Sequence, residues 1–338
     1  MNMKTLVLID GSSLLSSCYY GTLPNEIRFE KDPERQKAFY PKILHDANGR
    51  YTNGMYAMLK IIRKIIEKQA PTHIAFAFDK SRDTFRRKLY PEYKAQRKPT
   101  PEPLREQFIQ MEELLKEIGF QVVISDKYEA DDLLGSLAER YKKEIPVHLL
   151  TKDKDYLQLV DGSVRLWLLE KDQETADALN EAYSGTYGYV KGFVPDKCFE
   201  VTPDKCLGQF GVRPEQIPDL KGLQGDTSDN IPGVKGVMAP AIPLLEEYGT
   251  IENLYEVIDG CSGKAEEKEL NTFWKELGIT RSPLNALRKG KESAFLSKKL
   301  ATIVKTIEMP GTLDDYVLNI NNKKKRDLYL SYGFKSLL

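Results

Sequence analysis

Four short apolar runs, each followed within a few residues by acids, confine this chain to one class of fold. Leu6-Val7-Leu8-Ile9 runs into Asp10, and Ile74-Ala75-Phe76-Ala77-Phe78 runs into Asp79. Phe120 to Ile124 precedes Glu129, Asp131 and Asp132, and Val147-His148-Leu149-Leu150 precedes Asp153 and Asp155. The first two are uninterrupted, which suits strands buried on both faces, while Gln121 and His148 interrupt the other two. Helical patterns lie between them. Met55, Leu59, Ile62 and Ile66 form one apolar stripe, Leu104 to Ile118 closes at Gly119, and Leu133 to Tyr141 forms a third segment. The alternation predicts an α/β fold with a mostly parallel central sheet flanked by helices, with Val164 to Leu169 as a fifth strand. Ligands of such sheets bind beyond the carboxyl ends of the strands, so these acids are expected along one edge.

A helix N-terminus welcomes some negative charge, yet Glu129, Asp131 and Asp132 exceed what capping needs. Asp226 and Asp229, in a turn-rich stretch from Gly222 to Gly236, bring the acids to nine: Asp10, Asp79, Glu129, Asp131, Asp132, Asp153, Asp155, Asp226 and Asp229. Acid–base catalysis needs two carboxylates. Nine in proximity repel one another unless protons or cations neutralise them. Oxygen-only donor sets suit Mg2+ or Mn2+, and paired ions are a recurrent solution for phosphodiester displacement. From Lys80 to Lys98 eight basic residues face only Asp83 and Glu92, interleaved with Phe85, Tyr90 and Tyr93. Alone, such a run reads as a solvated helix face. Placed directly after an acidic strand end, it reads as a nucleic-acid surface.

Composition narrows the classes further. The 338 residues carry 50 Lys+Arg and 50 Asp+Glu, so partners must be read from charge distribution rather than net charge. Four cysteines without C-x-x-C spacing and three histidines argue against structural zinc and for reduced thiols in a cytoplasmic setting. No apolar run reaches membrane-spanning length. No G-x-G-x-x-G follows the first strand and no P-loop is present. Further helices are expected from Pro203 to Phe210, Leu244 to Tyr248, Ile251 to Ile258 and Phe295 to Ile307. The stretches 23–45 and 171–198 read as insertions, the second containing the flexible-looking Ser184 to Tyr189. Lys323-Lys324-Lys325-Arg326 reads as part of a solvated tail, with DNA contact the less favoured alternative.

The ordered set Leu8 to Leu15, Phe78-Asp79, Phe85-Arg86, Tyr93 to Arg97, Pro99-Thr100-Pro101, Tyr128 to Asp132, Thr151 to Asp155, Gly225 to Gly236 and Ser297 to Thr302 resembles the 5′-nuclease (flap endonuclease) superfamily. The resemblance is to the 5′→3′ exonuclease domain of bacterial DNA polymerase I. It implies a PIN/resolvase-like core over 1–170, with 80–103 as a helical arch. It further implies a helical duplex-binding region over 199–310; the 171–198 insertion before it has no assigned counterpart in the family, and 311–338 reads as a C-terminal tail. It implies Mg2+-dependent hydrolysis of DNA near 5′ ends, flaps or nicks by a monomer, leaving 5′-phosphate and 3′-hydroxyl. Two ions would be held by the nine acids, with Mn2+ able to substitute. Arg86, Lys94 and Arg97 would act near the scissile phosphate. Arg82, Tyr93 and Lys98 would contact DNA, as would Gly233, Lys235 and Gly236 in a helix–hairpin–helix-like element around a K+ ion. A DNA-binding scaffold on the same fold and a related RNA-preferring nuclease stay open.

Two departures stand out. Ser16-Ser17 occupies a place where the family carries Tyr-Arg. After Gly236 the chain reads Val237-Met238-Ala239-Pro240-Ala241-Ile242-Pro243, with Met238 in place of a glycine and two prolines that remove amide donors. Weakened duplex anchoring over an intact acidic site is therefore expected.

Overall fold

The structure, a computed structural model, describes residues 4–185 and 189–338. Its centre is a six-stranded sheet in the order β3-β2-β1-β4-β5-β6. The strands are β1 (Leu6–Asp10), β2 (His73–Asp79), β3 (Gln121–Ser125), β4 (Val147–Thr151), β5 (Val164–Leu169) and β6 (Cys198–Val201). All neighbours pair in parallel except β5 and β6. β1 is wholly buried, as its unbroken apolar run demands. The chain builds β1, β2 and β3 outward, then returns to lay β4 on the other side of β1. The topological switch therefore lies between β1 and β4, where a crevice opens at the carboxyl ends.

Two apolar layers cover the sheet. One face carries Leu14, Met55, Leu59, Ile62, Met111 and Leu115 from the helices Gly11–Gly21, Asn53–Gln69 and Glu102–Glu117. The other carries the helix Ala130–Tyr141, continuous with the core of the helical region through residues such as Leu223, Leu244, Leu254 and Trp274. Among the described residues, no helix is long and apolar enough to cross a membrane.

The structure departs from the sequence reading in four places. The sheet does not stop at 170. Within 171–198 a helix, Gln173–Ala182, starts on its Asp172 cap, and β6 follows. The buried Asn180 clips the two together by donating to the Cys198 carbonyl and accepting the Glu200 amide. Thr186, Tyr187 and Gly188 of the flexible-looking stretch lie outside the described residues. A helix also forms at Ile217–Gln224, running into the start of the turn-rich stretch at Gly222, and another at Lys264–Glu276.

The helix expected to reach Ile307 ends at Ala301. Side chains intercept the next amides: Gln158 accepts Ile303 N–H, Asp132 accepts Val304 N–H and Ser136 accepts Ile307 N–H.

The C-terminal segment is docked rather than solvated. Val317 bridges His73 beside β2, and Tyr329, Tyr332, Phe334 and Leu337 enter the first apolar layer. The Arg50 guanidinium lies 4.0 Å from the Tyr332 ring centroid. Lys324 of the basic run pairs with Glu117 at 2.7 Å.

Candidate functional site

The strand ends are drawn together by a pair of serines. Asp10 caps the helix Gly11–Gly21, its Oδ1 accepting the Ser13 amide at 2.9 Å. In return, Ser12 Oγ accepts the Asp79 amide at 2.8 Å and Ser13 Oγ accepts the Lys152 amide at 3.1 Å. One helical turn thus fixes the carboxyl ends of β1, β2 and β4. Gly11 is required there because a Cβ would intrude on the Phe78 ring. Thr151 donates to Asp10 Oδ2 at 2.9 Å, and Asp79 Oδ1 accepts the Ala130 amide at 2.8 Å, which brings in the acidic helix start.

The acids fall into three environments. Asp10, Asp79, Asp131 and Asp153 surround the buried Tyr156, whose phenol is raised by burial first and then by these four charges. Burial and the neighbouring Asp79 push Asp10 up to about 6. Burial also raises Asp131 and Asp153. Glu129 and Asp229 form a second group. Tyr93 Oη donates to Asp229 at 3.1 Å and to Glu129 at 3.3 Å, while Lys94 Nζ lies 2.5 Å from Glu129 and 3.4 Å from Asp229. Burial would raise Glu129, but Lys94 and Arg86 reverse this and hold it below its usual value. Asp155 and Asp226 form the third group, with Lys221 between them. A cleft of about 490 Å3 opens beside them, lined by Ser13, Lys152, Lys154 and Ser228.

Asp132 stands apart, and with it Arg86. Asp132 is fully buried and turned away from the cleft. Its oxygens accept both terminal nitrogens of Arg86 at 2.7 Å, the Val304 amide at 2.8 Å and the Glu129 amide at 3.2 Å. Arg86, 1% exposed, also donates to the Leu300 and Thr302 carbonyls. Neither residue is placed as expected. Asp132 has no oxygen left for a metal, and Arg86 cannot reach a phosphate. They form a buried ionic tie between the core and the helical region.

The rest of the basic stretch lies on the acids. Among residues 80–101 a short helix, Phe85–Leu89, is present, and the loop beyond it is stitched to the loop 226–230. Lys94 N–H donates to the Asp229 carbonyl, Asn230 donates to the Glu92 carbonyl, and Gln96 donates to the Thr227 carbonyl. Arg97 pairs with Asp229. Lys94 sits at φ 54°, a left-handed conformation that costs on the order of 1 kcal/mol in a non-glycine residue. Arg82 donates to the Arg97 and Lys98 carbonyls, and Lys98 is exposed.

Lys221 is the residue that sequence reading missed. Its i, i+5 spacing to Asp226 is no helical pairing, and only the turn at Gly225 brings the two together. In the hairpin, Gly233 (φ 61°) packs against the backbone at Gly225, leaving no room for a Cβ. Gly236 (φ 88°) faces open space, and Lys235 beside it is exposed. Val237 is buried, Met238 is 66% exposed, and the next helix starts at Ala241 behind Pro240.

The donor set fits divalent cations: oxygen-only, clustered at the switch-point crevice, and electrostatically frustrated. Among the described residues no three acids close on one ion-sized point. Lys94 and Lys221 lie between them and neutralise part of the charge.

This frustration is measurable. With its carboxyl raised from 3.8 to about 6, the folded protein binds the Asp10 proton more tightly than the unfolded chain. The Asp10 contribution to stability is then fullest below pH about 4 and is lost as pH rises through about 6. The displacement corresponds to about 3 kcal/mol. An amide at this position would lose part of that, since its one oxygen cannot accept both the Ser13 amide and the Thr151 hydroxyl. Asp10→Asn is expected to stabilise the metal-free protein by about 1–2 kcal/mol above pH about 7 and by nothing near pH 4. Urea unfolding across that range checks it; an equal effect at both ends would contradict it.

The sequence matches two family descriptions in order: "5′-3′ exonuclease, N-terminal resolvase-like domain" over residues 5–185 and "5′-3′ exonuclease, C-terminal SAM fold" over residues 212–324. DNA polymerase I of Bacillus caldotenax is 34% identical over 338 residues, covering 99% of this chain and 32% of that protein. DNA polymerase I of Bacillus subtilis (strain 168) is 32% identical over 339 residues, covering 99% and 32%. The chain thus spans about a third of the length of these relatives. Bacteriophage T5 5′-exonuclease with bound zinc shares the fold at TM-score 0.58 and 20% identity, covering 90% of each chain. A T5 flap endonuclease complex with DNA and metal ions aligns at TM-score 0.57 and 18% identity, covering 98% of this chain and 100% of that one. Both halves match in sequence order, and the chain belongs to the 5′-3′ exonuclease family.

Proposed function

We propose that this protein is a Mg2+-dependent, structure-specific 5′-nuclease that hydrolyses DNA near 5′ ends, at flaps or nicks, leaving 5′-phosphate and 3′-hydroxyl. The observation that carries the reading is the convergence of acids from β1, β2, β4, the helix start at Glu129 and the loop 226–229 on one crevice. Asp10, Asp79, Glu129, Asp131 and Asp153 would hold one ion, and Asp155, Asp226 and Asp229 a second. Bound there, Mg2+ or Mn2+ supplies an activated water and neutralises the departing oxygen.

The protein's own groups do the rest. Lys94 and Arg97 present positive charge at the crevice on a loop fixed from both sides. The segment 80–103, serving as the arch, must loosen its hold on Glu129 and Asp229 for a strand to pass. The region 199–310 would hold duplex. The test is a labelled 5′-flap DNA with Mg2+ and with chelator. Metal-dependent release of the flap by wild type, abolished in Asp131→Ala, supports the reading. Binding without cleavage would favour a scaffold, and preference for an RNA flap would change the substrate.

The hairpin supports weak duplex anchoring. Its exposed Met238 stands where a phosphate would approach the backbone, and Pro240 contributes no amide. Flap binding by anisotropy is expected to be weaker than nanomolar and nearly indifferent to K+. Nanomolar affinity with marked K+ dependence would show that the hairpin works despite its sequence.

A further inference from the structure

The cations around the acidic crevice differ in whether they are free. Arg86 is locked on Asp132, Lys94 on Glu129 and Asp229, Arg97 on Asp229, and Lys221 on Asp155 and Asp226. Lys80 pairs with Asp126, and Arg82 is engaged with backbone carbonyls. Lys152 differs from these, as do Lys98 and Lys154, whose ammonium groups also make no hydrogen bond or ion pair among the described residues. Lys152 is exposed, it lines the cleft beside Asp153, and among the described residues its ammonium makes no hydrogen bond or ion pair. Its backbone is nonetheless fixed. Its N–H is held by Ser13 Oγ at 3.1 Å, and its neighbour Thr151 is fully buried at the end of β4. A rigid root with an unengaged ammonium is a point charge awaiting an anion.

Its position matters as much as its freedom. The stretch 80–98 leaves the end of β2 and reaches the loop 226–230, while Lys152 stands at the end of β4 in the cleft that Asp226 and Ser228 also line. The helix Gly11–Gly21 between them carries no lysine or arginine. Ser13 and Ser17 share one of its faces, and both are small and uncharged. A strand laid across the crevice would meet the 80–98 cations and, at the end of β4, Lys152, with Lys154 nearby over the Phe210 ring at 5.5 Å.

We infer that Lys152 is a positioning residue that contacts a backbone phosphate of the substrate strand next to the one cleaved, on the β1–β4 side of the crevice. The inference rests on the nuclease reading for the word substrate, but the contact is to any nucleic-acid phosphate laid across the site. No bond is made or broken by Lys152. It anchors the ground state and the transition state alike, so it acts on KM rather than kcat.

The test uses Lys152→Ala, Lys152→Arg and wild type, with a 5′-flap DNA. Lys152→Ala is expected to raise KM about five-fold with kcat within about two-fold, and Lys152→Arg to restore KM. Metal-free anisotropy titrations over a salt series should show the slope of log affinity against log salt falling by about one in Lys152→Ala. Unchanged KM and salt slope would overturn the inference, as would a fall in kcat at constant KM. The salt slope needs no cleavage. Wild type that binds but does not cut would therefore sink the nuclease reading alone, and an unchanged slope would sink the lysine contact alone. Among the described residues the side chain has no partner, so a folding defect is not expected, and matching urea midpoints would confirm that.

Discussion

Arg86→Ala should lose about 3–5 kcal/mol of stability, the cost of leaving one member of a buried ion pair without its partner. The substitution strips Asp132 of two charge-assisted hydrogen bonds at 2.7 Å in a site with no exposure. It also frees the Leu300 and Thr302 carbonyls at the end of the helix Leu284–Ala301. Because Arg86 spans three elements, the loss should appear as one lowered transition rather than local fraying. Arg86→Lys should fare little better, since an ammonium cannot reproduce a planar fork reaching both oxygens. The diagnostic variant is Arg86→Met with Asp132→Leu. Removing both charges should recover the part of the loss due to the orphaned carboxylate, while the Leu300 and Thr302 carbonyls and the Glu129 and Val304 amides stay without these partners. Urea midpoints decide it. A single variant within about 1 kcal/mol of wild type would mean that the pair does not tie the core to the helical region.

Lys94→Ala should lower kcat by about 10²–10³-fold while changing DNA affinity little, as expected for a preorganised charge that acts where negative charge develops. Its ammonium lies between Glu129 and Asp229, and burial, which would lower its pKa, is outweighed by those acids. It is therefore charged throughout the accessible pH range. Its loop is held in a left-handed conformation and bonded to the Asp229 carbonyl. That is a costly arrangement for a lysine whose only work is to bind a strand. Lys94→Arg should not restore the rate, because the planar group cannot fit between two carboxylates already within 3.4 Å of one nitrogen. Single-turnover rates beside binding titrations separate the two effects. Equal losses in both would remove Lys94 from the chemistry.

The sheet was legible because β1 and β2 carry continuous apolar runs ending in an acid, a pattern that burial on both faces imposes, and β4 runs toward Asp153. β6 was not, since a four-residue edge strand depends on antiparallel pairing with β5 and on Asn180, 18 residues earlier than its bonding partner Cys198. The candidate acids were legible as a group because repulsion gives them no reason to cluster without a cation. Their division was not. Asp131 and Asp132 are adjacent in sequence, yet a helix turns one toward the crevice and the other toward Arg86. Nothing in the triplet itself says which. The docked tail was hidden for a related reason: Lys323 to Arg326 mark its solvent face, while the tyrosines and phenylalanine that bury it follow only later.

The lysines and arginine lying among the acids also set up a competition. On the proposed reading, a divalent ion entering the crevice must displace Lys94 and Lys221 from their carboxylates, and each displaced ammonium is then without a counter-charge. A phosphate backbone is the natural place for it to go. Metal and DNA would thus each relieve the strain that the other creates, and thermodynamic reciprocity requires the coupling to be equal in both directions. Resting protein would hold its metal loosely and protein on DNA would hold it tightly, so that a nuclease could be armed by its own substrate.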